Sequence, residues 1–180
     1  MRGASQQDDD LRARLAAARL VVLDVDGVLT DGRVIYGAGE ELQAFDVRDG
    51  LGLKLLLREG LEVAWISGRG CAATRRRAEE LGVREVHLRT GPKGDALAAV
   101  QERLGIGPEA TVAMGDDLPD LALGARSAVL AAPADAHPEV LARADLVCAA
   151  RGGRGAVREL AEAVLRAHGR WQALVDLHAR

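Results

Sequence analysis

At 180 residues the chain has the size of a single domain, and its formal net charge of −3 and scarce aromatic residues exclude the basic, ring-studded face of a nucleic-acid binder. Its two cysteines, Cys71 and Cys148, lie far apart and in no metal-ligand spacing, which excludes a disulfide framework and a zinc site and fits a reducing compartment. No apolar run approaches the roughly 18 residues of a membrane helix, and the first ten residues carry Asp8-Asp9-Asp10 rather than the charged-then-apolar order of a signal peptide, so the expectation is a soluble, cytoplasmic protein with no membrane and no nucleic-acid partner.

Met1 to Asp10 reads as a polar, disordered tail. An Arg- and Ala-rich helix follows from Leu11 to Arg19, so residues 1–19 form a tail and short helix ahead of one domain over 20–180. Leu20-Val21-Val22-Leu23 has the short apolar run of a fully buried parallel strand and ends in Asp24-Val25-Asp26-Gly27. Arg33–Tyr36 and Leu42–Val47 read as two strands around Gly37-Ala38-Gly39-Glu40, a hairpin insert over about 33–47. Gly50–Glu59 reads as a helix with Leu51, Leu55 and Leu56 inward. Val63–Ile66 is a second buried strand, ending in Ser67-Gly68-Arg69. A helix from Cys71 to Leu81 stops at Gly82, a strand covers Val86–Leu88, and a helix from Gly94 to Leu104 stops at Gly105. Thr111–Met114 is a third buried strand, ending in Gly115-Asp116-Asp117. Ala128–Ala131 and Leu146–Cys148 are further strand candidates, and helices over Gly155–Ala167 and Trp171–His178 complete the chain.

Strands alternating with helices in this way specify an α/β fold, a doubly wound, Rossmann-like parallel sheet covered on both faces. Ligands bind such sheets beyond the carboxyl ends of the strands. The clusters at Asp24, Ser67 and Asp116 all follow buried strands, so neighbouring strands would deliver them to one crevice. Asp24 and Asp26, two residues apart, can face one ligand while Val25 points away. Two such carboxylates can divide a phosphoryl transfer, one attacking phosphorus and the other exchanging protons with the leaving oxygen and the incoming water. Asp116 and Asp117 add a second acidic cluster, and acids gathered in one pocket call for a cation. Oxygen ligands beside a phosphate favour Mg²⁺. Lys93 and Ser67 would then neutralise and hydrogen-bond the phosphoryl oxygens.

The ordered set Asp24-x-Asp26, Ser67, Lys93 and Gly115-Asp116-Asp117-x-x-Asp120 resembles the haloacid dehalogenase superfamily. The stretches Glu40-Glu41-Leu42 with Phe45, Arg48-Asp49-Gly50, Gly68-Arg69, Asp135-Ala136-His137-Pro138 and Gly152-Gly153-Arg154-Gly155-Ala156-Val157-Arg158-Glu159 resemble, more narrowly, the 3-deoxy-D-manno-octulosonate (KDO) 8-phosphate phosphatase family. The likeness runs from Leu20 to Gly169. It implies that Asp24 is nucleophile and metal ligand, that Asp26 is general acid/base and ligates metal through its carbonyl, and that Asp116 is the third ligand. Ser67 and Lys93 would hold the phosphoryl group. Asp26, Asp46, Val47, Arg48, Asp49, Gly50, Lys54, Arg69, Arg77, Lys93 and Asp117 would contact a small phosphorylated sugar acid. Three positions depart from the family pattern: Asp46 stands where many members carry Asn, the loop before Lys93 is short, and Ala128 replaces a glycine.

The insert is too small to be a cap domain, and an uncapped site is open to water. The resemblance implies a homotetramer whose neighbouring subunits close each site. A phosphatase for nonulosonate 9-phosphates and a broad-specificity phosphatase would share the same chemistry. A non-catalytic partner of a sugar-acid cytidylyltransferase would keep the fold without it.

Overall fold

The computed structural model describes residues 4–37 and 39–179. Helix α1 (Ala4–Ala16) leads into strand β1 (Leu20–Leu23), then a hairpin of β2 (Ile35–Tyr36) and β3 (Glu41–Leu42). Helix α2 (Val47–Arg58), β4 (Glu62–Ser67), α3 (Ala72–Leu81), β5 (Glu85–Leu88), α4 (Lys93–Leu104) and β6 (Thr111–Met114) follow in strict alternation. A 3-10 turn (Leu118–Asp120) and short α5 (Leu121–Gly124) precede β7 (Val129–Ala132), α6 (Pro138–Leu141) and β8 (Leu146–Val147). Helices α7 (Ala156–Ala167) and α8 (Trp171–His178) end the chain.

Six strands form one parallel sheet in the order β5-β4-β1-β6-β7-β8. The strands are apolar on both sides because helices cover both faces. Val21, Leu23, Val63, Trp65, Val112 and Met114 pack with Leu15, Leu53, Leu56, Leu160 and Val164 of α1, α2 and α7. Leu20, Val22, Ala64, Ile66 and Ala113 point the other way, onto Leu97 and Val100 of α4 and Leu123 of α5. The hairpin is a separate antiparallel pair, with Ile35 opposite Leu42 and Tyr36 opposite Glu41. No described helix is long and apolar enough to cross a membrane.

Three expectations change. Residues 4–10 are not a disordered tail; α1 begins at Ala4, and the expected helix over Leu11–Arg19 moves toward the N-terminus. Leu15 and Ala18 are buried in the core, and Arg14 Nη1 binds Asp145 (2.8 Å) and the Ala128 carbonyl (2.7 Å), which anchors the helix. Met1–Gly3, and Ala38 of the expected hairpin turn, lie outside the described residues. The strand expected to reach Val47 ends at Leu42, because extended Asp46 N-caps α2 by accepting from the Arg48 N–H at 2.7 Å. Leu51 is exposed rather than inward; the buried face of α2 carries Leu53, Leu55 and Leu56.

Helices α2 and α7 are joined by a buried carboxylate. Asp49 on α2 accepts from the backbone N–H groups of Gly155 (3.2 Å) and Arg158 (2.8 Å), filling donors that the start of α7 leaves open. Gly52 sits where the helices approach, since a Cβ there would press on the Arg158 backbone and Ala161. Removing the carboxylate orphans two half-buried donors. Asp49→Ala is expected to lower the free energy of unfolding by about 2–4 kcal/mol in urea titrations; a loss below about 0.5 kcal/mol would show the joint to be unimportant.

Candidate active site

In this strand order the crevice lies at the carboxyl ends of β1 and β6, where the chain reverses direction across the sheet. Their register pairs Leu23 with Met114, so the loops that follow begin side by side. The Asp24 N–H donates to the Met114 carbonyl at 3.0 Å, which delivers Asp24 and Asp116 to adjacent positions. Gly27, at φ 94°, turns the chain in the left-handed region and leaves room for its neighbour: a Cβ there would collide with the Asp116 carboxylate. The Gly152-Gly153 segment supports this loop from below. The Gly153 N–H donates to the Val28 carbonyl at 2.8 Å, and the Gly152 N–H donates to Asp135 Oδ1 at 2.9 Å. His137 braces the other loop, its N–H donating to the Asp116 carbonyl at 2.7 Å.

Asp24, Asp116 and Asp120 each offer an oxygen within 4.8 Å of the others. Lys93 lies between two of them, with Nζ 2.7 Å from Asp24 Oδ1 and 2.5 Å from Asp120 Oδ1. Asp120 Oδ2 accepts from the N–H groups of Asp116 (3.0 Å) and Asp117 (3.2 Å), so both of its oxygens are engaged. Asp117 accepts from Leu118 N–H at 2.8 Å and closes the same turn. Asp116 Oδ1 is buried with no hydrogen-bond partner among the described residues.

One ammonium therefore serves three acids. Burial, then repulsion from Asp120, raises the Asp24 pKa to about 7 against the pull of Lys93. Burial, then Asp24 and Asp120, raises Asp116 to about 8. Burial disfavours the Lys93 ammonium, yet Asp24 and Asp120 outweigh it and hold its pKa above the ordinary value. A pocket of hard oxygen donors, an excess of negative charge and an orphaned Asp116 oxygen fit a divalent cation.

Asp26 lines the same crevice, and its carboxyl has partners of its own. Its Oδ2 accepts from Ser67 Oγ (3.2 Å) and its Oδ1 from Gln43 Nε2 (3.1 Å); Arg69 Nε stands 4.0 Å from Oδ2. Ser67 is buried at the end of β4, and its Oγ also accepts from the Arg69 N–H at 3.0 Å.

A crevice of about 600 Å³ brings together Asp24, Asp26, Ser67, Arg69, Lys93, Asp116 and Asp117. Asp46, Val47, Arg48, Asp49, Gly50, Lys54 and Arg77 do not line it. Asp46 is paired with Arg48 (2.7 Å), and Asp49 is turned into α7. Val47 and Lys54 are exposed on α2, and a Cβ at Gly50 would collide with the Arg77 guanidinium. Asp120 and Gln43 are contacts the sequence-derived set lacks. The third acid of Gly115–Asp120 hinted at the first, whereas nothing along the chain marks Gln43.

A family model described as haloacid dehalogenase-like hydrolase matches residues 82–160. The chain is 42% identical over 162 residues to the 3-deoxy-D-manno-octulosonate 8-phosphate phosphatase KdsC of Escherichia coli strain B / BL21-DE3, covering 89% of this chain and 86% of that protein. It superposes with a TM-score of 0.92, at 34% identity, on the Moraxella catarrhalis phosphatase of the same name in complex with magnesium, phosphate and KDO, covering 94% of this chain and 98% of that one. The cobalt-bound Haemophilus influenzae phosphatase is similar with a TM-score of 0.86 at 38% identity, covering 89% and 94%.

The raised carboxylates set the sign of a pH effect. Asp24 and Asp116 hold protons in the folded chain that the unfolded chain, with an ordinary value of 3.8, has released. Their contribution to stability is fully present below that value and is lost as pH rises through about 7 and 8. In EDTA, the urea midpoint of Asp116→Asn is expected to gain on that of the unmutated chain as pH goes from about 5 to about 9. Parallel curves would contradict the clustering.

Proposed function

The chain belongs to the haloacid dehalogenase-like hydrolases, in the KDO 8-phosphate phosphatase family, and is a phosphatase; from that premise we propose that it hydrolyses KDO 8-phosphate with Mg²⁺ through a phosphoryl-Asp24 intermediate. The observation that carries the mechanism is the convergence of Asp24, Asp26, Asp116 and Lys93 on one crevice. The choice of sugar rests on the relatives' named substrate and on the magnesium, phosphate and KDO held by the Moraxella structure.

Asp24 and Asp116, with the Asp26 carbonyl, would hold Mg²⁺, which when bound supplies the positive charge that lets a carboxylate meet a phosphate dianion. An Asp24 oxygen forms a bond to phosphorus as the ester P–O bond breaks. Asp26 gives its proton to the leaving alkoxide. Water then attacks phosphorus and returns a proton to the Asp26 carboxylate. The Asp24–phosphorus bond breaks, releasing inorganic phosphate and restoring both acids. Lys93, already against Asp24 Oδ1, holds the transferring group in line with the nucleophile, and Ser67 lies beside it. Asp120 positions Lys93.

Oligomerisation completes this reading. The hairpin and the adjoining start of α2 present exposed Ile35, Tyr36, Leu42 and Val47, apolar surface that a two-stranded pair does not stabilise alone. This supports a homotetramer assembled through the hairpins, in which the exposed Val47, Arg48 and Lys54 serve the crevice of a neighbouring copy, while buried Asp49 keeps its place between α2 and α7. A charged, water-soluble substrate supports a cytoplasmic enzyme. A nonulosonate 9-phosphate is the second substrate reading, because Asp24, Asp26 and Lys93 would perform the same chemistry on it.

The test is phosphate release from KDO 8-phosphate and from nonulosonate 9-phosphates, each with Mg²⁺ and with EDTA. KDO 8-phosphate is expected to be turned over fastest, only with the metal, and Asp24→Asn to lose roughly 10³-fold or more. Equal or faster turnover of a 9-phosphate would overturn the substrate, and activity retained in EDTA would overturn the metal.

A further inference from the structure

Gln43 lies one residue past β3, on the segment by which the hairpin returns toward α2. Its amide is held at both ends. Oε1 accepts from the Thr74 hydroxyl at 2.6 Å and from Cys71 Sγ at 3.2 Å, and Nε2 donates to Asp26 Oδ1 at 3.1 Å. Thr74 is fully buried on α3, so its hydroxyl is a fixed reference rather than a mobile surface group. Two donors on the amide oxygen orient the side chain and turn its nitrogen toward the carboxylate; the flipped amide would set oxygen against oxygen.

The rest of this contact shares one direction. Two residues earlier, Glu41 is gripped by Arg69 Nη2, 3.1 Å from both of its oxygens. Arg69 follows Ser67, which binds the other oxygen of Asp26. The two oxygens of Asp26 are thus held from opposite sides, one by β4 and one by the hairpin. The last torsion of an aspartate is otherwise broad, whereas a proton donor must meet its acceptor within hydrogen-bond reach.

We propose that Gln43, locked by Thr74, is a positioning residue that aims the Asp26 carboxyl at the leaving oxygen of the substrate. The hairpin then has a task within its own subunit besides the assembly argued above. This rests on the phosphatase reading with Asp26 as the acid.

The role has a consequence that a general loss of structure does not share. An alkyl phosphate leaves as a strongly basic alkoxide and needs the Asp26 proton as its P–O bond breaks. p-Nitrophenyl phosphate leaves as a stabilised phenolate and does not. The ratio of kcat/KM on KDO 8-phosphate to that on p-nitrophenyl phosphate therefore reports how well the proton is delivered, because kcat/KM covers the step in which the leaving group departs. With Mg²⁺, Gln43→Leu is expected to lower this ratio about 10- to 100-fold. Thr74→Val, which leaves the Gln43 donor present but unoriented, is expected to lower it less. Thr74→Ser keeps the hydroxyl and is expected to restore it. A fall that is equal on both esters in Gln43→Leu, or Thr74→Ser as impaired as Thr74→Val, would overturn the role. Should Gln43→Leu fail to fold, the Thr74 pair decides alone. An unmutated chain inert toward both esters would remove the phosphatase reading and this inference together; an active chain whose variants keep the ratio would remove the inference alone.

Discussion

Three carboxylates share one buried ammonium at the tips of β1 and β6, and the surrounding structure can be read as what this crowding requires. Asp24, Asp116 and Asp120 repel one another, and Lys93 offsets only part of that repulsion. The cluster persists because the parallel register of β1 and β6 delivers two of the acids, while the turn after Gly115 delivers the third. Glycine stands at two points where the acids press on backbone: a Cβ at Gly27 would strike Asp116, and one at Gly115 would strike Asp120. Stability given up at these strand tips is recovered in the sheet, whose two faces are packed by separate apolar clusters.

The loops around the site form a second layer of support. Asp135 holds Gly152 through its carboxylate, while Gly153 holds Val28 and His137 holds Asp116 through backbone hydrogen bonds. The family-like stretches late in the chain act here as braces for loops that carry the acids, rather than as additional acids. Asp49 does the same on a larger scale by tying α2 to the start of α7. The hairpin is a small element that reaches the site through Gln43 on Asp26 and Glu41 on Arg69, and presents its apolar residues outward.

Much of this was legible along the chain. Short, mainly apolar runs such as Leu20–Leu23 and Thr111–Met114, alternating with helical stretches, read as buried strands, and the acids just after them follow from the strand-end rule. Gly82 and Gly105 mark the helix ends, each left-handed at its cap. What escaped depends on contacts distant in sequence. The polar start of α1 reads as a tail, and its Arg14 reaches a partner 131 residues away. Leu51 fits the helical period as well as Leu55 does, but α8 leaves it half-covered beside Trp171 and Leu174. Asp120 looks like one more acid of a turn until Lys93, on another helix, is set against it. Gln43 is an ordinary polar residue until the hairpin folds back over Asp26.

Anomalous diffraction from a crystal soaked in Mn²⁺, a stand-in for Mg²⁺, tests the central claim most directly. The account predicts one strong peak among the Asp24 and Asp116 carboxylates and the Asp26 carbonyl, with Lys93 still beside Asp24. A crevice without a peak, or a peak held by other residues, would contradict it.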